Sequence, residues 1–138
     1  MRDIDFLAVH CTATPIFTSI DSIKNYWKNE LGWKNPGYHY IIEYDGTVTE
    51  LLTIDKVSNG VKGFNSRSIN IAYVGGLNGE DTRTEAQKNT LEDILMTFKY
   101  IFKDAEIMGH CEFPNVTKTC PNFYPSLEYN NITQNKPF

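Results

Sequence analysis

Tyr38-His-Tyr-Ile-Ile-Glu-Tyr44, Asp45-Gly46 and Thr47-Val-Thr-Glu-Leu-Leu52 decide the fold class of this 138-residue chain. The two flanks are rich in aromatic and β-branched residues, and Asp-Gly supplies the positive backbone angles of a tight turn. The stretch therefore reads as an antiparallel hairpin. By strand alternation Tyr38, Tyr40, Ile42 and Tyr44 share one face, and His39, Ile41 and Glu43 the other. His39 then points away from any site that Tyr38 lines.

Outward from the hairpin, Ile4-Asp-Phe-Leu-Ala-Val-His10 and Ser68-Ile-Asn-Ile-Ala-Tyr-Val74 read as buried strands, and Glu106-Ile-Met108 as a short one. Ser19 is placed to cap a helix in which Ile20, Ile23, Tyr26, Trp27 and Leu31 recur at helical spacing, with Gly32 as its terminator. That aromatic stripe is expected to be core. Thr84-Glu-Ala-Gln87 has the spacing of a capping box, and Leu91, Ile94, Leu95, Phe98, Ile101 and Phe102 draw one apolar stripe behind it. Strands and helices alternate with a hairpin among them, which predicts an α/β single domain with a mixed central β-sheet flanked by helices. Strands are expected near 4–10, 38–44, 47–52, 69–74 and 106–108, and helices near 20–31 and 85–102. The turn-rich residues 54–67 are expected to wall a groove. The domain is assigned to residues 1–125, and the Asn- and Pro-bearing stretch 126–138 is expected to be a loosely packed tail.

A chain with 41% hydrophobic and 22% charged residues has the composition of a folded globular domain. The formal charge of −4 and pI near 5.3 argue against nucleic acid or an anionic membrane surface as partner, because those are recruited by basic patches. A monomer is expected. Three cysteines, Cys11, Cys111 and Cys120, form no disulfide framework and favour free thiols or metal ligation. Met-Arg-Asp-Ile-Asp lacks the basic start of a signal peptide, so synthesis in the cytoplasm is expected.

The chemistry concentrates in Met108-Gly-His-Cys-Glu-Phe-Pro-Asn-Val-Thr-Lys-Thr-Cys-Pro121, which carries an imidazole, an ammonium and thiols. His110 and Cys120 can meet at one ion if the loop returns on itself, with His10, at the end of its buried strand, as third ligand. Two neutral imidazoles and one thiolate would give zinc three protein ligands and an open fourth position, the arrangement of catalytic sites. Cys11 and His39 are second choices by strand parity, which does not exclude Cys111 in its loop; a fourth protein ligand such as Cys111 would instead close a structural site. Beside a catalytic zinc, the Tyr38 phenol and the Lys118 ammonium are groups that could polarise a carbonyl and hold an oxyanion.

From about Ile4 to Phe123 the sequence resembles the zinc-dependent N-acetylmuramoyl-L-alanine amidases of the small phage-lysozyme type, relatives of the peptidoglycan recognition proteins. The resemblance is carried by Val9-His-Cys-Thr-Ala-Thr14, Gly37-Tyr-His-Tyr-Ile-Ile42, Asp45-Gly-Thr-Val48, Gly63-Phe-Asn65, Val74-Gly-Gly76, Asp81-Thr-Arg-Thr84, Gly109-His110 and Lys118-Thr-Cys-Pro121. It implies an amidase and recognition-protein-like fold, one zinc on His10, His110 and Cys120, and Tyr38 and Lys118 as the catalytic pair. It also implies cleavage of the amide between N-acetylmuramic acid and L-alanine in peptidoglycan, after lysis or export, as an endolysin or prophage product would act. The rival it implies is a non-catalytic peptidoglycan-binding recognition module. The chain departs from the family pattern in several places, among them the stretch after Pro121, where Asn-Phe-Tyr-Pro replaces the usual acidic start of a last helix. Gly60 stands where many members carry a substrate-contacting His, which predicts a weaker substrate grip. Ala72 stands where another branch has a catalytic Glu, and Gly109-His-Cys-Glu112 replaces the commoner Gly-His-Arg-Asp.

Overall fold

The computed structural model describes residues 2–132. Five strands, β1 (Phe6–Cys11), β2 (Tyr40–Ile42), β3 (Val48–Glu50), β4 (Ser68–Tyr73) and β5 (Glu106–Gly109), form one sheet in the order β3-β2-β4-β1-β5. β1 runs parallel to both β4 and β5, and β2 runs parallel to β4, while β2 and β3 pair antiparallel through the hairpin. The sheet is mixed, as the hairpin predicted.

The hairpin turn differs in detail from the sequence reading. Only Gly46 takes a positive φ, +88°, while Asp45 accepts the Thr47 N–H through its carboxylate at 2.9 Å. The Gly46 N–H closes a turn on the Glu43 carbonyl at 2.9 Å. The strands are also shorter than expected: β2 begins at Tyr40, so Tyr38 and His39 precede it and strand alternation does not govern them. Tyr38 accordingly packs with Ile41 and Trp27, not with Tyr40 and Ile42.

Helix α2 (Glu85–Ile101) covers one face. Its Leu91, Leu95 and Phe98 pack on Leu7 and Val9 of β1, Ile42 of β2, and Ile69 and Ile71 of β4. The capping box forms, and the buried Gln87 extends it by donating to the carbonyls of Ile42 at 3.1 Å and Val74 at 3.0 Å. Ile101, counted in the apolar stripe, is instead 55% exposed.

On the other face, α1 (Ile20–Asn25) continues into a π-helical turn over Tyr26–Glu30, so the expected helix exists but widens midway. Ser19 caps it by accepting the Ser22 N–H at 3.1 Å. Ile23 and Trp27 are buried against Ile41 and Val74. Tyr26 and Leu31 are exposed at 55% and 41%, so the stripe is only half core. Farther along this face Ala8, Val61 and Phe113 form a separate cluster with Phe6 and Phe64.

The segment after Pro125 departs from the loose tail expected of it. α3 (Pro125–Glu128) is followed by Tyr129 and Ile132, 5% and 8% exposed in the α2-side core. Arg83 anchors it: the guanidinium pairs with Asp81 at 2.9 Å and Glu128 at 2.7 Å, bonds the Tyr129 hydroxyl at 3.0 Å and lies 3.4 Å from the Phe123 ring centroid. Apolar anchors at irregular spacing carry no periodicity, which is why composition suggested a tail. Residues 133–138 of that expectation lie outside the described residues.

Candidate metal centre and groove

Parallel pairing brings the two histidines together. Val9 is the register partner of Gly109, so His10 and His110 follow at adjacent carboxyl ends of β1 and β5, where ligands gather in α/β sheets. Their ring centroids lie 5.0 Å apart, edge to face. Cys120 arrives on the returning loop, which is fixed at several points. The Cys111 N–H donates to the Cys120 carbonyl at 2.8 Å, the Tyr73 hydroxyl to the Pro121 carbonyl at 2.8 Å, and the Asn122 amide to the Gly76 carbonyl at 3.0 Å. Glu112 holds the other end of that loop, accepting from the Gly109 N–H at 2.8 Å and from both the N–H and hydroxyl of Ser126.

One nitrogen each from His10 and His110 and the Cys120 sulfur all lie within 4.8 Å of one another. His10 is buried, and its Nε2 is 2.8 Å from Asn70 Oδ1, which leaves Nδ1 to face the cluster. Burial and then the neighbouring His110 push the His10 pKa down to about 3. Burial and then Lys118 lower that of His110. Both rings are therefore neutral at pH 7, as metal ligation requires. The Cys11 N–H donates to Cys120 Sγ at 3.1 Å. The neighbouring Cys11 and then burial push the Cys120 thiol well above the ordinary thiol range, while Cys11 is lowered, so a metal bound there would have to displace the Cys120 proton. Two neutral imidazoles and a thiol within reach of one point fit a zinc ion with an open position.

The other candidate ligands lie elsewhere. His39 is buried with Nδ1 accepting the Asn70 N–H at 3.0 Å and Nε2 donating to the Lys56 carbonyl at 2.7 Å. Cys111 directs its sulfur to the Phe123 carbonyl at 3.8 Å, and Cys11 lies beside Cys120 without joining the cluster. Ala72 is the register partner of His10, so this chain presents a methyl where a carboxylate would face the cluster.

The cluster lies in a groove of about 710 Å³ that Tyr38, Lys118, Trp27, Trp33 and Tyr26 also line. Asn59 and Gly60 form part of its wall, within the turn-rich stretch assigned to that purpose. The Tyr38 ring lies 5.1 Å from the His10 ring and edge-on to Trp27 at 5.3 Å, and its hydroxyl donates to the Cys11 carbonyl at 3.2 Å. Burial, and then the nearby cysteines, push the Tyr38 pKa well up, so the phenol stays protonated. Lys118 is exposed on the rim. Sequence reasoning missed the exposed half of the α1 stripe as groove wall, and it missed Asn70. The signal for Asn70 was a polar residue inside an otherwise apolar buried strand, which must find partners.

Fold and site together define an α/β domain of the amidase and recognition-protein type, with an open His-His-Cys cluster at its strand ends. The profile of the N-acetylmuramoyl-L-alanine amidase family (Amidase_2) matches residues 1–123, and the chain belongs to that family. It is 37% identical to the endolysin of Klebsiella phage KP32 over 121 residues, covering 83% of this chain and 78% of the relative. The Ph2119 endolysin from Thermus scotoductus MAT2119 bacteriophage superposes with a TM-score of 0.81 at 24% identity, covering 88% of this chain and 79% of that one. Drosophila Peptidoglycan Recognition Protein (PGRP)-SA superposes at 0.79 with 18% identity, covering 100% and 85%.

Proposed function

We propose that this chain is a zinc-dependent amidase that cleaves the bond between N-acetylmuramic acid and L-alanine in peptidoglycan. It would act on the cell wall after lysis or export, as a monomer holding one zinc on His10 Nδ1, His110 and Cys120. The observation that carries this reading is the three-ligand cluster on the floor of an open groove, in a chain of the amidase family. A closed structural site would need a fourth protein ligand, and Cys111 lies outside the cluster.

Zinc bound there would supply Lewis acidity and a nucleophile at neutral pH. The chain's own residues do the rest. Trp33 and Tyr26 offer flat apolar surface along the groove, suited to the methyl-bearing lactyl and alanyl groups flanking the scissile amide. Tyr38, wedged between His10 and Trp27, presents a protonated phenol that can move its hydrogen bond from the Cys11 carbonyl to a developing oxyanion. Lys118 brings an ammonium to the same groove and stabilises the same charge. Among the described residues no helix is long and apolar enough to cross a membrane.

The test is release of free stem peptide from purified muropeptides, with zinc content measured in parallel. Cleavage that ends on chelation supports the reading. Muropeptide binding without cleavage by the zinc-loaded protein would replace the enzyme with a recognition module.

A further inference from the structure

Asn70 sits in the middle of β4, fully buried, on the sheet face that carries His10. Buried polar side chains are costly unless each atom is paired, and every polar atom of Asn70 is. Its backbone N–H donates to His39 Nδ1 at 3.0 Å. Because a backbone N–H can only donate, His39 Nδ1 must accept, and its Nε2–H then donates to the Lys56 carbonyl. The Ser58 hydroxyl lies 3.2 Å from the same Nδ1 and shares that nitrogen's one lone pair with the Asn70 N–H. Asn70 Nδ2 donates to Ser58 Oγ at 2.7 Å and to Asn65 Oδ1 at 3.4 Å, an oxygen that also accepts the Gly60 and Val61 N–H groups, which fixes the amide so that Oδ1 faces His10 Nε2 at 2.8 Å. An amide oxygen only accepts, so Nε2 carries the ring proton and the lone pair is on Nδ1, toward His110 and Cys120.

Gly60 makes room for this arrangement. A Cβ at position 60 would stand 2.3 Å from Asn70 Cγ and Oδ1 and 2.6 Å from Nδ2, contacts that real Cβ atoms do not make. A larger residue at 60 and this placement of Asn70 exclude each other.

We propose that Asn70, held by Ser58 and His39 and admitted by Gly60, is a positioning residue that locks His10 in the Nδ1-ligating tautomer. The inference rests on the metal-site reading above and extends it to a residue that touches neither metal nor substrate. Partners of this kind typically change metal affinity by about 10–100-fold.

Metal-free wild type, Asn70→Ala, Asn70→Asp, Gly60→Ala and the Asn70→Ala/Gly60→Ala double variant are titrated with Zn²⁺ against a chromophoric chelator. The absorption of bound Co²⁺ is recorded as a reporter of ligand geometry. Asn70→Ala should bind Zn²⁺ about 10–100-fold more weakly, with an altered Co²⁺ band. Asn70→Asp keeps an acceptor facing Nε2 and should restore most of the affinity. Gly60→Ala should weaken binding by displacing the amide, and the double variant should bind no more weakly than Asn70→Ala alone, since no amide remains to displace. If Asn70→Ala does not fold, Gly60→Ala and Asn70→Asp decide. Wild-type affinity and spectrum in Asn70→Ala or Gly60→Ala, or fully additive effects in the double variant, would overturn the proposal while leaving the metal site intact. Absence of metal binding by the wild type would overturn both.

Discussion

Tyr38 and Lys118 line one groove but are held differently. Tyr38 is fixed between two rings, whereas Lys118 stands exposed at the rim. If Lys118 stabilises the oxyanion, Lys118→Ala should keep its zinc and its fold yet lose on the order of 10²–10³ in turnover on muropeptide. Tyr38→Phe should lose less, because Lys118 still faces the charge. Unchanged turnover in both variants would remove the pair from the mechanism. The His10, His110 and Cys120 cluster was legible in the sequence because strand ends and loop chemistry coincide there. Alternation, applied two residues before β2 begins, put Tyr38 on the face of Tyr40 and Ile42, whereas it packs with Ile41 and Trp27. Asn70 escaped notice because its role lies in a pairing across β1 and β4 that no local pattern encodes.

At the scale of elements, the capping box and the hairpin were legible because each rests on a few adjacent residues. The π-helical turn at Tyr26–Glu30 and the exposure of Ile101 were not, since packing against neighbours decides both. The start of α2 gives a graded test. Thr84→Ala removes a helix cap and should cost about 1 kcal/mol. Gln87→Ala removes the reciprocal cap and the Gln87 bond to the Val74 carbonyl, while the Ile42 carbonyl keeps the Val74 N–H, so it should cost more, on the order of 2–3 kcal/mol. Urea unfolding of the two variants measures the order. An equal or smaller loss in Gln87→Ala would mean that water replaces its bonds.

For the whole molecule, pH reports how the buried histidines are held. His10 titrates at about 3 in the folded metal-free protein, against 6.5 ordinarily, because burial and His110 disfavour its charge. Between those values the unfolded chain binds more protons, so this contribution to stability is present above pH 6.5 and lost as pH falls toward 3. Glu128, held below its ordinary range by the Arg83 hydrogen bond, adds a further loss below about pH 4.5. Urea midpoints of metal-free protein should therefore fall steadily from pH 7 to 4; a flat profile would show that the folded His10 accepts a proton freely.

The central claim, that one His-His-Cys zinc site drives amide cleavage, is tested most directly by mass spectrometry of purified muropeptides exposed to wild type and Cys120→Ala. Each protein is assayed before chelation, after it, and after zinc is returned. The account predicts free stem peptide from the wild type, its loss on chelation, its recovery with zinc, and none from Cys120→Ala under any condition. Stem peptide released equally by the chelated wild type and by Cys120→Ala would contradict it.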